Sequence, residues 1–391
     1  MLFSGKTKRM FYFCWLVYFT SYIGRLNFTS SMPSLISLGI LDHKQAGIIT
    51  MAFFITYGSG QLINGYLGDK ISPRLMIFFG LFLAGITNCM MSLESTFQSM
   101  LFFWGLNGYL QSMIWPPLIR IFAQQFAGKD KEEASIRIVS SLAAGTIVSL
   151  LSSAIILRFL SWKWVFLFAS GLLCLVALLW FFQYPHVAQP IAKEAREQAS
   201  SLPWRQGLAC LFIPVMIHGA IKDGMTSWIP TYITERFFAS PSFSLLLTVL
   251  IPCMKLFGAS LAELADHYFH GNKSRSIFCF WLADSLFLIL FRCAGRWNVL
   301  FSTILFALAT ASVMALNTIY VNIIPLRFQQ MGRVAFVSGL LNAIAYLGSA
   351  LTTFSSGIIV EKWGWDVTVS FWCGMTIMAL AFSAVEIHKQ Y

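Results

Sequence analysis

Long apolar runs separated by short polar loops dominate the chain, and their lengths set the predicted elements. A helix that crosses a bilayer needs about 20 predominantly apolar residues, because every backbone group must be satisfied inside the segment. Twelve stretches meet that need: 10–36, 45–68, 73–92, 96–122, 135–159, 162–183, 207–234, 242–268, 275–294, 297–324, 332–360 and 365–387. Between the sixth and seventh lies the one extended polar segment, 183–205, with Lys193, Glu194, Arg196 and Glu197. The pattern predicts an all-α membrane protein with twelve transmembrane helices in two six-helix bundles, 1–185 and 205–391, joined by a linker at 186–204.

The two halves repeat. Asp69 ends the second stretch in Gly65-Tyr-Leu-Gly-Asp69-Lys70, and Asp266 ends the eighth in Ala262-Glu-Leu-Ala-Asp266-His267, 197 positions later. The same offset carries Arg25 onto Lys222 and Pro33 onto Pro230. An offset of 203 aligns Trp162 with Trp365 and Phe168 with Phe371. Pseudo-symmetric parallel repeats of six helices describe the major facilitator architecture, in which substrate binds near midplane between the halves.

Composition agrees with a bilayer environment. Of 391 residues, 57% are hydrophobic and 11% charged, against about 25% charged in a soluble domain, so lipid must cover the apolar surface. The net charge of +11 comes with no basic helix or aromatic RNA motif, so no nucleic-acid partner is expected. It follows orientation instead: seventeen Lys and Arg lie on the side of the two termini, seven on the opposite side, and Arg25, Lys222 and Lys255 within spans. That bias places the termini and the linker in the cytoplasm, in a multi-pass cell (inner) membrane protein. The basic run Lys6, Lys8, Arg9 before an apolar stretch superficially resembles a signal peptide. Tyr22 and Arg25 interrupt it and no small-residue cleavage site follows, so the first helix is expected to be retained. The eight Cys are scattered singly, so neither a disulfide framework, a metal site nor a cofactor is expected. The default oligomeric state is a monomer.

Arg25 carries the most information about function. Arg at a helix centre costs roughly 2.5–3.5 kcal/mol on insertion scales, so it faces the protein interior. Tyr18, Tyr22, Arg25 and Thr29 form one helical stripe, with Phe11, Trp15, Leu16 and Phe19 on the other face. A guanidinium flanked by phenol hydroxyls suits an anion with several oxygens. The alternative is an Arg paired with an internal carboxylate such as Asp284. Lys222 reads as a pocket cation by symmetry with Arg25, the alternative being a purely structural cation, and the adjacent Asp223 is expected to point about 100° away rather than simply neutralise it. Lys255 has no counterpart cation, since residue 58 is Gly. His218 reads as a packing histidine or a proton carrier.

Several motifs together resemble the organophosphate:phosphate antiporters of the major facilitator superfamily, which include bacterial glycerol-3-phosphate and hexose-phosphate carriers. They are Tyr22-Ile-Gly-Arg25-Leu-Asn27-Phe with Met32-Pro33, Tyr57-Gly-Ser-Gly-Gln61, and Gly68-Asp69-Lys70. Further along come Asn107-Gly-Tyr-Leu-Gln111-Ser-Met-Ile-Trp115-Pro-Pro117 with Arg120, Trp228-Ile-Pro230-Thr-Tyr232, and Ala345-Tyr346-Leu-Gly348. The resemblance implies substrate binding by Arg25, Lys222, Tyr18, Tyr22 and Tyr346, with Gln61 and Trp115 alongside. Gln61 stands where the bacterial carriers hold a Lys, Lys222 where they hold an Arg, and Ala143 or Ala144 where one holds a His. The segment Gly65-x-x-x-Asp69-Lys70-x-Ser72-x-Arg74 resembles the superfamily's helix 2–3 signature. It implies a gating role for Asp69, Lys70 and Arg74, and for Asp266 by repeat; the alternative is a solvated loop turning at Ser72-Pro73.

The expected function is alternating-access transport of a small organic anion, a phosphorylated metabolite exchanged for inorganic phosphate. One alternative is a proton-coupled symporter of a carboxylate or other organic anion, with His218, Asp223 or Asp284 as proton site. Another is a transport-inactive sensor of extracellular organophosphate. An enzyme is not expected, as there is no nucleophile–base pairing, P-loop or ATP-binding domain.

Overall fold

The computed structural model describes residues 5–68, 71–126, 134, 137–187, 211–295, 297–324 and 334–388. The described residues are helical almost throughout, in the order α1 (Gly5–Ser37), α2 (His43–Gly68), α3 (Pro73–Leu93), α4 (Phe97–Ser112), α5 (Trp115–Gln125), α6 (Val139–Phe159) and α7 (Trp162–Val187). Then follow α8 (Phe212–Gly219), a π-helical turn at Ala220–Met225, a short 3-10 turn at Thr226–Trp228, and α9 (Ile229–Arg236). The chain ends with α10 (Pro241–Thr248), α11 (Leu250–Lys255), α12 (Gly258–Tyr268), α13 (Lys273–Ala294), α14 (Val299–Asn317), a second π turn at Thr318–Ile323, and α15 (Val334–His388). The predicted linker lies outside the described residues from 188 onward.

Seven described helices are long and apolar enough to cross a membrane, and eight if α10–α11 with α12, bent by 41°, count as one span. Of the remaining predicted spans, the first is the continuous helix α1, which is less apolar, and the others are interrupted for identifiable reasons. The fourth divides into α4 and α5 at 113–114, where Pro116 and Pro117 cannot donate into a continuing ladder. The seventh runs through α8, the π turn, the 3-10 turn and α9. The eleventh and twelfth join in α15 across Gly364, whose φ of 75° and ψ of −178° reverse the chain. That conformation is nearly exclusive to glycine.

The chain forms two compact units: 1–41 with 52–196, and 42–51 with 197–391. In the first, α1 packs against α6 and α7, and α3 against α7. A buried amide network fixes α1 at one level. Asn27 Nδ2 donates to Asn88 Oδ1, and the amides of Asn88 and Asn107 each donate to the Gly24 carbonyl at 3.3 Å. Buried interhelical hydrogen bonds of this kind tie membrane helices together where apolar packing supplies little driving force. In the second unit, α8 and its π turn lie against α15. A β-carbon at Gly219 would overlap the Ala345 carbonyl, and one at Gly348 the Met216 carbonyl, so only glycine permits this backbone approach.

Candidate functional site

In the first unit Arg25 is 9% exposed and stands in an aromatic cage. Its guanidinium carbon lies 4.0 Å from the Tyr57 ring centre, 5.2 Å from Tyr22 and 5.6 Å from Phe53. Its Nη1 donates to the Tyr22 hydroxyl at 3.5 Å. Tyr18 extends the cage, 5.3 Å from the Tyr22 ring and 4.8 Å from Trp115, the first residue of α5. The helical stripe read from the sequence is therefore assembled here. Gln61 lies one turn beyond Tyr57 on α2 and is half-buried. Tyr57 and Phe53 were not singled out as site residues. Their signal was the i, i+4 spacing of Phe53, Tyr57 and Gln61, which puts all three on one stripe of α2.

The cage is held from behind. The Gly24 carbonyl, next to Arg25, is the acceptor shared by Asn88 and Asn107, so the α1 backbone beside the guanidinium is anchored by amides. On the other wall, Thr56 of α2 donates to the Gly105 carbonyl of α4 at 2.7 Å, next to Tyr57. A cation over aromatic faces gains about 0.5–2 kcal/mol, which offsets part of the cost of holding Arg25 away from water.

In the second unit Lys222 sits inside the π turn. A π turn closes i→i+5 bonds, and its widened geometry leaves carbonyls to be satisfied from outside. Polar side chains supply the donors. Ser349 donates to the Gly219 carbonyl at 2.8 Å, Thr226 to Ile221 at 3.1 Å, and Ser227 to Gly224 at 2.7 Å. The Lys222 carbonyl itself accepts from Lys255 Nζ at 2.8 Å, which brings a second cation to this turn.

The widened turn overturns one expectation. Asp223 does not point away: its Oδ2 lies 3.2 Å from Lys222 Nζ. The reading of 100° per residue assumed α-helical geometry, and a π turn rotates less per residue, so neighbouring side chains draw together. The Lys222 ammonium also lies 5.2 Å from the ring centre of Tyr346, which the close approach of α8 and α15 places there.

The remaining candidates are dispersed. His218 is fully buried, its ring 6.1 Å from Tyr320. Asp284 on α13 is also fully buried, and neither carboxylate oxygen has a hydrogen-bond partner among the described residues. Asp69 and Lys70 lie outside the described residues. Arg74 is fixed within the first unit: its Nε donates to the Phe181 carbonyl at 2.8 Å, and its guanidinium covers the Phe181 ring at 4.0 Å. Asp266 pairs with Lys273 across the turn between α12 and α13. Arg120 is placed with these loops, donating to the carbonyls of Gly68 at 2.7 Å and Ile71 at 3.0 Å.

Comparison with known proteins agrees with this architecture. The chain is 25% identical over 404 residues to a probable hexose phosphate transport protein of Chlamydia trachomatis, covering 91% of this chain and 86% of the relative. It is 24% identical over 402 residues to the glycerol-3-phosphate transporter of Bacillus subtilis, covering 93% and 88%. A mutant crystal structure of the nucleoside transporter NupG superposes with a TM-score of 0.80 at 16% identity, over 96% of this chain and 99% of that one. The twelve-span, two-unit fold is thus one that known transporters share. Residues 14–337 match the family model of the Major Facilitator Superfamily, and the chain belongs to that superfamily.

Proposed function

We propose that the protein is a secondary active transporter of a phosphorylated organic anion, exchanged for inorganic phosphate by alternating access. The observation that carries this reading is Arg25, a guanidinium buried in a membrane helix and ringed by Tyr22, Phe53 and Tyr57. Such a group is costly in the bilayer unless it has a task, and its planar fork matches the oxygens of a phosphate. Within the second unit, Lys222 and Lys255 gather positive charge at one turn, and Tyr346 lies beside Lys222. Relatives named as hexose phosphate and glycerol-3-phosphate transporters support the same substrate class. Asp223 pairs with Lys222 and offsets part of its charge, so the affinity for a phosphate dianion rests on Arg25 and Lys255 as well.

Exchange fits a site that carries net positive charge: a bound anion balances the charge that Asp223 leaves on the Lys222 and Lys255 pair, which favours the loaded carrier over the empty one. In this reading the protein is a monomer of the inner membrane, its termini cytoplasmic and its gates formed by the loops bearing Asp69, Lys70, Arg74 and Asp266.

Counterflow in proteoliposomes tests the proposal. Vesicles loaded with inorganic phosphate accumulate labelled glycerol 3-phosphate or a hexose phosphate, and vesicles without internal phosphate do not. Absence of flux for phosphate and for every sugar phosphate tested would assign the chain to sensing instead.

A further inference from the structure

One cluster outside the anion site joins three titratable groups distant in sequence. His43, the first residue of α2, places Nε2 2.8 Å from Glu235 Oε1 and Nδ1 2.7 Å from Glu361 Oε2. Its backbone N–H donates to the same Glu361 carboxylate at 3.2 Å. Glu235 stands in the last turn of α9, and Glu361 precedes the Gly364 reversal in α15. Trp365 Nε1 donates to Glu235 at 2.8 Å, and the His43 ring lies 6.3 Å from Trp228 and 6.5 Å from Trp365. The neighbouring cations have partners of their own: Arg236 and Arg292 both pair with Asp366, at 3.5 Å and 3.6 Å.

The hydrogen bonding fixes the protonation state. An ionised carboxylate only accepts, and a neutral imidazole donates from one nitrogen only. Both ring nitrogens of His43 face carboxylate oxygens at hydrogen-bond distance, so the arrangement is satisfied only by the imidazolium. Charge-assisted bonds of this kind are shorter and roughly twice as strong as neutral ones.

A second observation shows that the contact is a built junction. Below His43, Gly47 and Gly357 cross closely: a β-carbon at Gly357 would overlap the His43 carbonyl, and one at Gly47 would crowd the Thr353 carbonyl. The first turns of α2 therefore seat against α15, and residues 42–51 belong to the second unit while the rest of α2 belongs to the first.

We infer that His43, Glu235 and Glu361 form a proton-binding clasp that holds the first turns of α2 to α9 and α15. With the proton bound, His43 bridges two carboxylates. Once it is lost, one ring nitrogen faces a carboxylate with no proton to donate, and two carboxylates remain beside a neutral ring. The clasp then loosens. The sign is fixed: protection of this segment is present at low pH and lost as pH rises through the titration of His43. A transport cycle that moves α2 as one helix must open the clasp, so the proton tunes how readily that end of the helix is released.

Hydrogen–deuterium exchange of the purified full-length protein tests the inference without needing a transported substrate, so its outcome is independent of the anion reading. After correction for intrinsic exchange, amides within 43–51 are expected to lose about tenfold or more of their protection as pH rises, the loss of one charge-assisted bond. In His43→Gln the segment is weakly protected at every pH, and the pH step disappears. Glu361→Gln, which keeps the histidine, shifts the step to lower pH. Wild-type protection that does not change with pH, or a pH step that survives intact in His43→Gln, would overturn the clasp.

Discussion

At the residue scale the two cation centres differ in kind, and the difference is testable. Arg25 is held by flat contacts: aromatic faces at 4.0–5.6 Å and one phenol hydroxyl. A planar delocalised guanidinium fits that cage and can still offer two parallel donors to a phosphate, whereas an ammonium is a hydrated point charge. Lys222 touches one ring and one carboxylate and already acts as a point charge. Arg25→Lys is therefore expected to weaken phosphate binding about tenfold to a hundredfold, the worth of a charged hydrogen bond. Lys222→Arg should retain exchange with altered substrate preference. Calorimetric titration of both purified variants with phosphate checks this; equal affinity of Arg25→Lys and wild type would remove the bidentate grip from the mechanism. The stripe of Tyr18, Tyr22 and Arg25 was legible because it lies on one helix with one period. The pairing of Lys222 with Asp223 was not, because it depends on a local change of helical type that leaves no mark in the hydrophobic pattern.

Among the elements, the crossing of α8 with α15 positions the second cation centre. Gly219 and Gly348 let the backbones meet, and Ser349 caps a carbonyl of the widened region. The motif Ala345-Tyr346-Leu-Gly348 was visible in the sequence as a resemblance, and its physical content is this contact. Inserting one methyl there must push the helices apart or strain them, at a cost of about 1–3 kcal/mol. Gly348→Ala is expected to lower the melting temperature in detergent and to slow phosphate exchange, because Tyr346 and Lys222 separate. Gly374→Ala, on the same helix with nothing within 4 Å of the added carbon, should leave both unchanged. Identical melting curves for the two variants would mean that the crossing is not tight.

For the whole molecule, the bilayer made the fold legible: the need for about 20 apolar residues per crossing marked twelve stretches before any contact was known. What escaped was long-range. His43 finds its carboxylates 192 and 318 positions away, and nothing in a local window announces such partners. Coupling also belongs to this scale. On the proposed exchange mechanism, vesicles charged with phosphate should take up labelled substrate at the same rate with or without an imposed acid-outside gradient. Gradient-driven uptake into phosphate-free vesicles would mark proton symport, with Asp223, His218 and Asp284 the residues to neutralise first. The buried carboxyl of Asp284, unpartnered among the described residues, would then be the leading candidate.

The reversal at Gly364 bears on how the chain enters its membrane. With a single residue outside helical geometry, the last two spans are separated by almost no loop. A translocon handling them has no tether with which to park one span in lipid while the next is still being made. The two spans are thus tied as a hairpin, with Glu361, Lys362 and Asp366 together at its tip. With no slack at the tip, placing one span constrains the other, so substituting Gly364 is expected to disturb both spans at once in a membrane-insertion assay.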